Sequence, residues 1–176
     1  MIAIGAAWVG LPWGIAIAKG DDILPANEVF KLSARIDARG ALSVRYAVAP
    51  GHYLYKQRLS ATLNGTSIAQ PDLKLPRGTK KVDPQWGRVD VFARDIEFTP
   101  KLKKPLQEGK HLLTIRSQGC SETHGICYPP ADETVELSWQ AGVASAWQVP
   151  TASVVAGFGG AAKRPPSEGL GRFAKP

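Results

Sequence analysis

From Glu28 the chain alternates apolar and polar positions with a period of two. Phe30, Leu32, Ala34 and Ile36 fall on one side, and Lys31, Ser33 and Arg35 on the other. Extended backbone points successive side chains to opposite faces, so this pattern predicts a half-buried strand. Asp37-Ala38-Arg39-Gly40 makes a turn, and Leu42, Val44, Tyr46 and Val48 repeat the alternation. Ala49-Pro50-Gly51 breaks it, and residues 52–63 are expected as one strand with an irregular start. Asn64-Gly65 is a tight-turn signal, because both residues tolerate positive φ. Short extended pieces are expected around Ile68 and at Leu73–Leu75, separated by Pro71 and Pro76. Residues 77–88 read as an exposed loop. Val89, Val91, Phe92, Ile96 and Phe98 suggest a further strand with a bulge near Ala93-Arg94. Residues 111–118 and 133–139 complete the series, the second with Val135, Leu137 and Trp139 on one face. Roughly eight short strands with no amphipathic helix between them predict an all-β antiparallel sandwich, the last two strands joined as a long hairpin.

A chain of 176 residues holds one domain with a substantial core. After Trp139 the composition shifts to Ala, Gly, Val, Ser and Pro, so residues 141–176 are expected as a disordered tail or linker and 23–140 as the domain. The net charge of +7 comes from scattered residues, with only short runs such as Lys80-Lys81 and Lys103-Lys104. No nucleic-acid-binding motif accompanies it, so it is read as a solvated surface and no nucleic-acid partner is expected. Residues 2–18 carry no charge and end in Ala16-Ile17-Ala18, which fits signal-peptidase cleavage, although no Lys or Arg precedes the apolar run. Residues 1–18 are accordingly expected to be a signal peptide and the protein to be exported. G-x-S-x-G and phosphate-binding glycine loops do not occur, which argues against a serine hydrolase or a nucleotide enzyme.

The chain has two cysteines, Cys120 and Cys127, in the stretch QGCSETHGICYPP. Export favours a disulfide between them. Three readings stay open on spacing. A structural staple would close a short loop and restrict the unfolded chain by roughly 2.5 kcal/mol. A metal clip would use Cys120, His124 and Cys127, but lacks the fourth ligand a structural zinc site wants, His52 and His111 being remote in sequence. A redox pair would need an accessible sulfur, and a polar hairpin tip stiffened by Tyr128, Pro129 and Pro130 suits one.

This stretch resembles the redox loop of the N-terminal periplasmic domain of the thiol:disulfide interchange protein DsbD family, with its Gln-Gly-Cys and Cys-Tyr-Pro-Pro elements. LPANEVFKLSARID at 24–37, GHYLYKQRL at 51–59 and LPRGTKKVDPQWGRVDVFARDI at 75–96 are similar to further family segments in the same order. The resemblance implies an immunoglobulin-like sandwich with an exposed redox hairpin and a cap loop. It implies a periplasmic protein-disulfide reductase in which Cys127 forms mixed disulfides and Cys120 resolves them. Its implied partners are thioredoxin-fold proteins, namely disulfide isomerases and cytochrome c maturation thioredoxins, and a membrane electron donor. No cofactor and no stable metal are implied. Asp83, Gln85, Trp86 and Gly87 match the cap loop, and Tyr53, Tyr55 and Tyr128 surround the sulfurs. The chain departs from the pattern where Pro84 replaces an acidic residue, where the aromatic that shields the sulfurs is shifted to Trp86 with Gln85 at its place, and in a cysteine spacing longer by one residue. The competing expectation is a non-catalytic immunoglobulin-like binding module with a structural disulfide.

Overall fold

Alternation governs the first hairpin. The computed structural model describes residues 23–155. After a single helical turn, α1 (Ala26–Val29), the chain enters β1 (Phe30–Ile36) and returns along β2 (Leu42–Val48), with Phe30 opposite Val48 and Ile36 opposite Leu42. Every second residue of both strands is buried. The turn between them is held by Asp37, whose Oδ1 accepts from the backbone N–H groups of Arg39 and Ala41, each at 2.8 Å.

The single strand expected over 52–63 is two. β3 (His52–Tyr55) ends in a 3₁₀ turn at Lys56–Arg58, and β4 (Ser60–Leu63) then joins a different sheet. The apolar spacing runs through the break almost unchanged, so the pattern could not reveal it. β4 returns through Asn64 and Gly65, at φ 50° and 76°, into β5 (Thr66–Ile68). These two positive angles are those of the tight hairpin turn expected there. The extended piece anticipated at Leu73–Leu75 is in part a second 3₁₀ turn, Gln70–Leu73.

Residues 77–88 are not a loop. β6 (Thr79–Asp83) and β7 (Gly87–Phe92) form a hairpin in which Asp83 pairs with Gly87 and Thr79 with Val91. The strand expected to continue past Phe92 instead stops, and β8 (Ile96–Phe98) pairs with β2. β9 (Gly109–Ser117) leads to β10 (Gly119–Ser121), β11 (Ile126–Cys127) and β12 (Ala131–Trp139). β9 and β12 pair along their whole length, from Ser117–Ala131 to Gly109–Trp139, as the long hairpin requires. Its tip folds away as the small β10–β11 hairpin, which pairs with β3.

The expected tail is structured in its first part. Gln148 bridges Ala34, Ser145 bonds Ile36, and β13 (Ala152–Val155) pairs with β12. The rest of that tail and the expected signal peptide lie outside the described residues. Among the described residues thirteen strands form three sheets, ordered β1-β2-β8, β11-β10-β3-β7-β6 and β13-β12-β9-β4-β5. They make an immunoglobulin-like β-sandwich. Its core joins Leu32, Ile36, Val44 and Tyr46 to Leu54, Leu113, Ile115, Val135 and Leu137. Across it the Tyr46 hydroxyl lies 3.4 Å from Glu133 Oε2, the carboxylate accepting, and both residues are buried.

Candidate active site

β3 sorts its residues between two environments. Leu54 faces the main core, while Tyr53 and Tyr55 face the opposite side and meet Cys120 and Val91 in a separate buried cluster. Pairing explains this, since Cys120 lies opposite Tyr53 and Val91 opposite Tyr55. The β6–β7 hairpin adds Asp83, buried like the two tyrosines, to this side.

Cys120 and Cys127 stand directly opposite each other on β10 and β11 and form a disulfide, with Cα atoms 3.9 Å apart. The two ends differ in access: Cys120 is 2% exposed, whereas Cys127 is an exposed residue. The Tyr55 hydroxyl oxygen lies 3.1 Å from Cys120 Sγ and 3.8 Å from Cys127 Sγ. It donates to Asp83 Oδ2 at 2.6 Å, and the Tyr53 hydroxyl donates to the same oxygen at 3.3 Å. Asp83 Oδ1 accepts from the backbone N–H groups of Gln85 and Trp86 at 2.8 and 3.1 Å. The Tyr55 hydrogen bond, together with these amides, holds the Asp83 carboxyl below its ordinary range. Burial, and then the bond to Asp83, push the Tyr55 phenol well above its ordinary value. A fixed negative charge therefore sits one hydroxyl away from the sulfurs.

Two contacts, neither evident in the sequence, tie the β6–β7 hairpin down. Lys81 pairs with Glu122 in the β10–β11 turn, and its Nζ lies 4.8 Å from the Tyr53 ring centre. The Arg58 guanidinium lies 4.1 Å from the centre of the Trp86 ring. Partly exposed ion pairs contribute about 0.2–1 kcal/mol, so these surface contacts add little to the buried Tyr55–Asp83 bond and the β3–β7 pairing that also hold the hairpin. Trp86, expected to shield the sulfurs, is 51% exposed, and Gln85 is exposed too. The aromatic group lying against the sulfurs is Tyr55. Gly87, at φ 70°, closes the hairpin turn.

Tyr128 anchors the other end of the disulfide-bearing hairpin. Its hydroxyl donates to Leu24 O at 3.1 Å, its backbone N–H donates to Gly119 O at 2.9 Å, and its ring meets Phe30 edge-on. A Cβ at Gly119 would stand 2.4 Å from Tyr53 O and 2.5 Å from Phe30 Cζ, which explains glycine beside the first cysteine. His124 does not converge with the sulfurs into a metal site, its Nδ1 lying 3.4 Å from Ser121 Oγ. Among the described residues no three His, Cys, Asp or Glu side chains gather in metal-binding geometry.

Residues 20–139 match the family described as "Thiol:disulfide interchange protein DsbD, N-terminal". The DsbD of Ralstonia nicotianae is 30% identical over 132 residues, covering 74% of this chain and 20% of that protein. That of Tatumella citrea is 37% identical over 95 residues, covering 54% and 16%. The chain thus spans about a fifth of the length of the curated relatives it matches. Among solved structures, the reduced N-terminal domain of Neisseria meningitidis DsbD superposes with a TM-score of 0.60 at 24% identity, covering 73% of this chain and 95% of that one. A complex between the DsbD and PilB N-terminal domains of the same organism gives 0.55 at 25% identity, covering 75% and 96%.

Proposed function

The chain belongs to the DsbD N-terminal domain family, and from that premise we propose that it is a periplasmic thiol–disulfide exchange module whose Cys120–Cys127 pair alternates between disulfide and dithiol. The observation that carries this is the asymmetry of the pair: one cysteine exposed, the other buried against a tyrosine–aspartate pair beneath the β6–β7 hairpin.

In the dithiol form the Cys127 thiolate attacks one sulfur of a partner disulfide. A bond forms between Cys127 Sγ and that sulfur, and the partner's other sulfur leaves as a thiolate and takes a proton. The Cys120 thiolate then attacks Cys127 Sγ, closes the intramolecular disulfide and frees the second partner sulfur as a thiol. Two electrons and two protons pass to the partner. Recharging reverses the sequence: a donor thiolate attacks Cys127 Sγ, the accessible sulfur, and Cys120 leaves. While Cys120 is a thiol, its S–H has the Tyr55 oxygen as acceptor, and Tyr55 in turn donates to Asp83. This chain favours protonated Cys120, so the resting dithiol reacts slowly with stray oxidants. The family's donors and acceptors, a membrane electron carrier on one side and thioredoxin-fold disulfide isomerases and cytochrome c maturation thioredoxins on the other, are the partners this reading assigns.

The test is a trap. Cys120→Ala should leave Cys127 able to attack a partner and unable to release it, so that a mixed disulfide with an oxidised thioredoxin-fold protein accumulates on a non-reducing gel. The wild-type disulfide should be reduced by excess reduced thioredoxin. A bond that stays shut, with a potential below about −300 mV, would mark a structural staple and an inert binding module.

A further inference from the structure

We propose that Arg58, stacked on Trp86, is the anchor of a docking surface beside Cys127 for a partner whose own redox-active disulfide is rimmed by carboxylates. This rests on the exchange reading and adds the chemistry of the partner.

Position comes first. Arg58 ends the turn that follows Tyr55, and Trp86 sits in the hairpin turn whose amides bond Asp83, so the pair flanks the tyrosine that touches both sulfurs. Both residues are exposed. The Trp86 ring supports the Arg58 guanidinium through its face, and a guanidinium held by its face can receive a carboxylate along its N–H edge by two parallel hydrogen bonds. Tryptophan and arginine are also the residue types that carry most binding energy in protein interfaces.

Charge selects the partner. Around the hairpin the carboxylates are already committed: Asp90 to Lys80, Glu122 to Lys81, and Asp83, buried, to the tyrosines. Arg58 and Arg88, exposed on the same hairpin or against it, have no carboxylate partner among the described residues. The uncompensated charge on this rim is positive, in a chain of net charge +7. A partner with an acidic rim is attracted, and a basic one repelled, before the sulfurs meet.

The experiment uses the reduced full chain and two disulfide-closed hexapeptides, Glu-Cys-Gly-Pro-Cys-Glu and Lys-Cys-Gly-Pro-Cys-Lys. The readout is the ratio of their exchange rates, divided by the same ratio measured with dithiothreitol to cancel the peptides' own reactivity. At low salt the corrected ratio should favour the acidic peptide by at least about threefold, and it should fall towards one in 1 M salt. Arg58→Glu should bring it to one or invert it, while Lys110→Glu, exposed on β9 six positions from the Arg116 that pairs with Ser60, should leave it unchanged. A corrected ratio of one in the wild type, or a preference that survives Arg58→Glu, overturns the proposal and leaves the exchange reading intact. Failure of both peptides to exchange would overturn the exchange reading itself.

Discussion

Two buried carboxylates respond to pH with opposite signs. Burial pushes Glu133 up to about 7, the Tyr46 hydroxyl only partly offsetting it. The native state therefore holds its proton more tightly than the unfolded chain does. That stabilisation is complete below the ordinary glutamate range and is lost as pH rises through about 7, by up to about 3 kcal/mol. Urea midpoints between pH 4 and 8 should fall with rising pH, and Glu133→Gln should flatten the trend. Asp83 runs the other way: its depressed carboxyl stays charged at neutral pH and disfavours a neighbouring thiolate. Asp83→Asn should shift the alkylation profile of reduced Cys127 to lower pH, raising its rate about three- to tenfold at neutral pH. Unchanged profiles would remove Asp83 from the chemistry. Tyr53 and Tyr55, two apart on one strand, were legible as sharing a face. That they converge on Asp83 was not, because the carboxylate arrives from a hairpin nearly thirty residues later.

Strand existence was legible wherever one face is buried and the other wet. β1, β2, β9 and β12 are such strands. Of the β6–β7 hairpin only β7 was, through Val89 and Val91 on its inner face. β6 carries exposed Lys80 and Val82 on its outer face and Thr79, Lys81 and Asp83 on its inner one, so neither side of it shows an apolar stripe. Sheet switching at Lys56–Arg58 and after Phe92 was equally hidden, since a strand's alternation says which face is buried and not which neighbour it pairs with. The redox hairpin depends on one close approach. Gly119→Ala would force a methyl against the Tyr53 carbonyl, which cannot rotate away, and against the Phe30 ring. A loss of about 1–3 kcal/mol is expected, read from thermal or urea unfolding of the oxidised form. Displacement of Cys120 should accompany it, seen as faster reduction of the disulfide by dithiothreitol.

For the molecule as a whole, the sandwich class and the place of the disulfide followed from strand spacing and the cysteine stretch. The path of residues 141–155 did not. Their Ala, Gly, Val and Ser composition lacks a periodic apolar face, and they are held mainly by backbone pairing, helped by Ser145 Oγ on the Ile36 N–H and Arg35 over the Trp147 ring, none of which leaves a periodic signature. The family match ends at residue 139, so this strap lies beyond it. Its last strand occupies the outer margin of β12, a row of N–H and C=O groups that would otherwise face water unpaired. An open sheet margin is a template for a second chain. A version ending at Gln140 should therefore self-associate, with a concentration-dependent rise in sedimentation coefficient that the 1–176 chain lacks, and a lysine or proline placed on β12's bared side should suppress it. The strap beyond the redox domain would then serve as a guard against β-mediated clumping.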